Sequence, residues 1–194
     1  MKEKKYSPLK NLLIVVLAIC ILGVGGYAFM YFTGNTVDPL ETEAAKNSTK
    51  SVYKTAEELG TRTTVIDSGG RSSGTVQSVQ GELHPMKGMS SNFQADIAKS
   101  EAVATKEMKS LENYGFSDEG DCRKLKEWET SEGYKAFKFD YKDDSFPMIR
   151  YMVQSGNVLI LFNYCDLEEV PDDESFVINI LRDNFGITLT EAND

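Results

Sequence analysis

With one histidine, one tryptophan and three cysteines in 194 residues, the chain is short of the side chains that most often carry chemistry. Metal sites draw on several His, Cys or carboxylate ligands at close spacing. His84 stands by itself in GELHPMKG, directly before Pro85, and reads as a surface-loop residue. There is no C-x-x-C pair for thiol exchange, and neither Cys122 nor Cys165 has an adjacent histidine to make it a nucleophile. No G-x-S-x-G elbow occurs. The glycines of SGGRSSG lack the spacing, and the helix directly behind, of a phosphate-binding loop.

Positive charge is also scarce: 21 Lys and Arg stand against 30 Asp and Glu, for a net charge of −9. Four lysines against one glutamate give Met1–Lys10 a charge of +3, so the remainder carries −12. A surface so acidic argues against nucleic acid and against anionic lipid headgroups as its partners.

Charge of either sign is missing altogether from NLLIVVLAICILGVGGYAFMYF, Asn11–Phe32, a run of 22 residues. As a helix it would span about 33 Å, close to the roughly 30 Å hydrocarbon core of a bilayer. Tyr27, Tyr31 and Phe32 gather at its far end, where aromatic rings favour the interface, and Lys2, Lys4, Lys5 and Lys10 precede it. A cleaved signal peptide would have a shorter apolar region and a small-x-small site, and TGNTVDPLE supplies none. A lipoprotein signal would place a small residue before its cysteine, whereas Ile19 precedes Cys20 in mid-run. The expectation is an uncleaved transmembrane helix over 11–32. It leaves a cytoplasmic tail over 1–10, a polar stalk over 33–60 and an extracytoplasmic domain over 61–190.

Within that domain, TRTTVID and GTVQSVQG predict a hairpin. Residues 91–113 predict a helix capped by Ser90 or Ser91, with Phe93, Ile97, Ala104, Met108 and Leu111 on one buried stripe. CRKLKEWE, GYKAFKFDYK, PMIRYMVQ and NVLILFNYC predict a four-strand antiparallel meander. A two-residue turn at Ser155-Gly156 would pair Val153 with Val158, Tyr151 with Ile160 and Ile149 with Phe162, all on one face of a half-buried sheet. VPDDESFVINILRDNFGI predicts a final helix whose stripe of Phe176, Val177, Ile180, Leu181 and Phe185 covers that face. The expected fold class is therefore α+β: the transmembrane helix, then the meander with a possible preceding hairpin, covered by two helices. In such a meander Cys122 and Cys165 sit three strands apart, roughly 14 Å, beyond the roughly 7 Å that a disulfide allows.

GYKAFKFDY, FPMIRYMVQSGNVLILFNY and FVINILRDNF together resemble the second half of the Mog1/PsbP-like α/β/α sandwich group. Gly133 and Ala136, Tyr151, Gly156, Leu159–Phe162, Ser175 and Phe176 occupy comparable places, over residues 91–185. The resemblance implies an accessory or binding protein without catalytic residues and transfers no functional residue. The opening strands expected of the group, with a proline and an aromatic, are not evident in 61–81.

Carboxylates are the remaining source of chemistry. Asp118, Glu119 and Asp121, then Asp143 and Asp144, then Asp166, Glu168 and Glu169 would gather at one end of the meander. Oxygen-rich loops suit calcium, but no calcium-loop spacing is present, and solvated turns are the plainer reading. Asp121, Asp143, Asp144, Asp166, Glu168 and Glu169 are the metal candidates; no catalytic residue and no cofactor is expected. The sequence thus points to a bacterial, membrane-anchored, extracytoplasmic binding or accessory protein. Its partners would be the bilayer, through residues 11–32, and an envelope protein. The alternative is a tethered metal- or carboxylate-dependent hydrolase.

Overall fold

Alternation of apolar and polar side chains builds the strands, and eight of them join in one sheet. The computed structural model describes residues 37–67, 74–83, 91–115, 122–141, 148–165 and 174–192. In chain order they form α1 (Glu43–Leu59), β1 (Thr63–Asp67), β2 (Thr75–Glu82), β3 (Asn92–Ala98), α2 (Glu101–Ser110), β4 (Cys122–Thr130), β5 (Lys135–Tyr141), β6 (Met148–Ser155), β7 (Val158–Cys165), α3 (Glu174–Asp183) and β8 (Leu189–Glu191). The strand order is β1-β2-β3-β7-β6-β5-β4-β8, antiparallel at every junction. After β3 the chain crosses the sheet through α2, starts again at β4, and meanders back until β7 pairs with β3. The compact unit runs Pro39–Asp194.

This corrects the expected fold class. The hairpin and the meander are parts of a single eight-stranded sheet, packed by three helices rather than two. Among the described residues no helix is long and apolar enough to cross a membrane, and the expected transmembrane run Asn11–Phe32 lies outside them.

Residues 91–113 do not form one helix. Asn92–Ala98 is a strand, and the helix begins after Ser100, whose hydroxyl accepts the Val103 amide as the N-cap. The reason is arithmetic: Phe93 and Ile97 are four apart, which fits a helical stripe and also fits a strand, where even spacings share a face. Ala95 between them decides it, because Phe93, Ala95 and Ile97 are all buried while Asn92, Gln94 and Asp96 are only partly so.

The segment read as a stalk contains α1, which packs on the sheet. Ala45, Val52 and Ala56 enter the core, and Ser48, Ser51 and Thr55 are buried beside them. Small side chains let the helix approach closely. They also hide its buried face from a hydropathy pattern, because serine and threonine count as polar. The Ser51 hydroxyl donates to the Asn184 carbonyl at 2.6 Å and so ties α1 to the end of α3.

The β6–β7 turn falls one residue later than expected, at Gly156-Asn157. Ser155 pairs with Val158, Val153 with Ile160, Tyr151 with Phe162 and Ile149 with Tyr164. Each partner moves by two positions, so the same side chains still share a face. Gly156 takes a positive φ of 54°, and buried Asn157 fixes the turn. Its amide donates to the carbonyls of Pro39 and Ala98, each at 3.0 Å, and its Oδ1 accepts the Thr42 hydroxyl at 2.7 Å. Thr42 is in turn the N-cap of α1.

The sheet is also not half-buried, since core lies on both sides of it. On one face Val52 and Ala56 of α1 and Val177 and Leu181 of α3 pack against Phe93, Tyr151, Ile160 and Phe162. On the other, Ala104 and Met108 of α2 pack against Phe137, Phe139, Met152, Leu159 and Leu161. NVLILFNYC is nearly continuous in apolar residues because β7 is covered twice. The register also puts Cys122, Tyr141, Met148 and Cys165 in one row across β4 to β7, so three strand spacings separate the two cysteine positions, and Cys122 is a free thiol.

Candidate functional site

The second face of the sheet divides in two. Ten-residue α2 is about 15 Å long and covers only the apolar half. Beside it a concavity of about 470 Å³ opens over β1, β2, β3, β7 and β6. Its floor holds Met152, Leu159 and Leu161, and its walls are polar except at Ile66 and Met148.

Strand alternation places those walls. Asn92, Gln94 and Asp96 are the residues of β3 that face away from the α1/α3 core, and Arg150 and Asn163 do the same on β6 and β7. Asn92, Asn163 and Arg150 fall in one cross-strand row. They are hydrogen-bonded in series: Arg150 Nε donates to Asn163 Oδ1, and Asn163 Nδ2 donates to Asn92 Oδ1 at 2.6 Å. Such a chain fixes the guanidinium plane, because its donors leave in a rigid fork.

Asp96 is on the opposite wall. Gln94 Nε2 donates to its Oδ2 at 3.0 Å, and Ser78 also hydrogen-bonds to it. Burial holds its carboxyl above the usual range, against the lowering influence of Ser78, Gln94 and the charge of Arg150. Gln80 lies next to Ser78, its amide 3.5 Å from the hydroxyl. The lining thus offers one guanidinium, two carboxylates (Asp96 and, from α2, Glu107) and a set of neutral amides over an apolar floor. That inventory binds and orients a ligand.

Cys122 contributes no nucleophile. Its thiol is pushed above the ordinary range by burial and by Asp140, with Arg150 acting the other way. Among the described residues no group of three His, Cys, Asp or Glu side chains could hold a metal ion. His84 and the acidic residues Asp118, Glu119, Asp121, Asp143, Asp144, Asp166, Glu168 and Glu169 lie outside the described residues.

The walls of the concavity were not singled out by the sequence reading, yet a signal was present. Asn92 to Ile97 alternates polar and apolar residues without a break, and Arg150 and Asn163 interrupt apolar stretches of β6 and β7. No family model matches this chain, and neither a curated protein nor a solved structure matches it.

Proposed function

We propose that the protein is a binding module without catalysis of its own, held at a bacterial cell membrane, with its Pro39–Asp194 unit outside the cytoplasm. The observation that carries the reading is the hydrogen-bonded row Asn92–Asn163–Arg150 in the wall of an open concavity. A positioned guanidinium across from a partly buried carboxylate, over an apolar floor, is suited to hold a small polar ligand. The uncharged run Asn11–Phe32 behind four lysines supports the membrane address. In this reading the module serves a neighbouring envelope protein, to which it presents its ligand.

A thermal-shift screen of the full chain in detergent against a small-molecule collection tests the binding role. Wild type should be stabilised by a defined class of compounds, and Arg150→Gln should lose that stabilisation. A collection that shifts neither protein, or shifts both equally, overturns it. The address is tested separately, by proteolysis of intact cells: cleavage within Pro39–Asp194 is expected, and full protection refutes it.

A further inference from the structure

The concavity carries both signs of charge, Arg150 against the acids Asp96 and Glu107, and the pair on the sheet is set well apart. Arg150 is on β6 and Asp96 on β3, two strands away, with β7 between them. The Arg150 row meets β3 at Asn92, four residues from Asp96. That gives about 10 Å across the strands and about 13 Å along them, roughly 16 Å between backbones. Arg150 Nη2 lies 3.7 Å from Met148 Sδ, two residues farther from Asp96 along β6, and the arginine charge still acts on the Asp96 carboxyl.

Between the charges lie neutral amides. An amide side chain carries two donor hydrogens and an acceptor oxygen, the same groups that a peptide bond displays. Gln94 uses one donor on Asp96, which leaves its second hydrogen and its carbonyl oxygen for a ligand. Beneath is the floor of Met152, Leu159 and Leu161, adaptable at the methionine and aliphatic throughout.

We propose that the concavity takes a short peptide of about three residues with both ends unblocked. Its carboxylate lies on Arg150, its ammonium on Asp96, its backbone against Gln94 and Asn92, and an aliphatic side chain on the floor. An extended tripeptide spans about 10 Å, and a hydrogen bond of about 3 Å at each end brings its reach to about 16 Å, comparable with the separation of the two positions. This assignment rests on the binding role proposed above and names the ligand class for that same site.

Titration calorimetry of the full chain in detergent micelles with Ala-Leu-Ala tests it. One binding site is expected. Amidation of the peptide's carboxyl end, or acetylation of its amino end, should each weaken binding at least tenfold. Arg150→Gln should bind the free and amidated peptides equally, and Asp96→Asn should bind the free and acetylated peptides equally. The capping is done on the ligand, so the test holds even if a variant fails to fold. Equal affinity of wild type for free and capped peptides overturns the proposal, as does absence of binding. If no peptide binds while another compound class shifts wild type but not Arg150→Gln, the peptide assignment falls and the binding role stands. Silence from both peptides and collection removes both.

Discussion

Replacing Gly81 by alanine tests the packing of the sheet most sharply, because two effects of opposite sign meet there. Gly81 sits on β2 directly opposite Phe93, and it has no positive φ. By backbone entropy alone, Gly→Ala in a strand stabilises by about 0.5–1 kcal/mol. Phe93, however, is completely buried with its ring lying over the glycine, and an added Cβ would overlap the ring tip and approach Cε1 to 2.7 Å. The ring has little room to yield, because it stacks on Phe162 with centroids 6.0 Å apart. Overpacking of this kind costs about 1–3 kcal/mol, so Gly81→Ala should be destabilising by roughly 1–2 kcal/mol net. Urea unfolding followed by Trp128 emission measures it: the single tryptophan is buried and stacks on Tyr151, in the same core as Phe93. Phe93→Leu removes the ring, and in that background Gly81→Ala should become neutral or stabilising. If Gly81→Ala stabilises the wild-type protein, or costs the same with and without the ring, the contact is not the reason for the glycine.

Three further outcomes are expected. Glu174 at the start of α3 bonds Lys126 at 2.5 Å and Lys138, whose side chain is only 10% exposed, at 3.1 Å. Glu174→Gln should cost about 1–2 kcal/mol, between the values for exposed and buried pairs. Burial acts to raise the Glu174 carboxyl, but the bonds from the two lysines outweigh it, and its folded-state pKa is lowered. A depressed folded value means that this contribution is full above the ordinary carboxylate pKa and is lost as pH falls through the folded value. Acid unfolding of wild type should therefore converge on that of Glu174→Gln below about pH 4. Asn157→Ala leaves the buried partners of its amide unanswered and should cost about 2–4 kcal/mol in a urea melt, with Asn157→Asp no better, since a carboxylate cannot donate to the two carbonyls. Cys122 should react with a maleimide only as fast as the protein unfolds, and labelling at the rate of an exposed thiol would contradict its burial.

How much was legible depended on whether one period or two could explain a stretch. Strands β4 to β7 were readable because short turns bound them and alternation allowed no helical alternative. The β6–β7 register slipped by two because Ser155-Gly156 and Gly156-Asn157 both make acceptable turns; what chooses between them is Asn157 reaching Pro39, Thr42 and Ala98, all distant in sequence. Asn92–Ala98 was absorbed into a helix because its bulkiest residues stand four apart. The concavity escaped notice for the same reason, since three of its polar residues lay in that misread stretch and the others sat across strands whose neighbours were not known. A helix over residues 41–59 ending at Gly60 is legible in the sequence, but its place on the sheet is not, because a face of alanine, serine and threonine buries well and still looks soluble.

Placing β7 between β3 and β6 has a consequence for how the chain is made. The strands before α2 are synthesised long before their neighbour, and the last piece of the sheet's interior to emerge is also the seam that joins its two parts. Until residue 165 is available, β3 presents an open edge beside Phe93 and Ile97, a template for wrong partners. Closing the seam pairs residues about seventy positions apart, as Asn92 with Asn163, so folding should be slow and all-or-none. A nascent chain halted before Val158 would hold two half-sheets with nothing to join them.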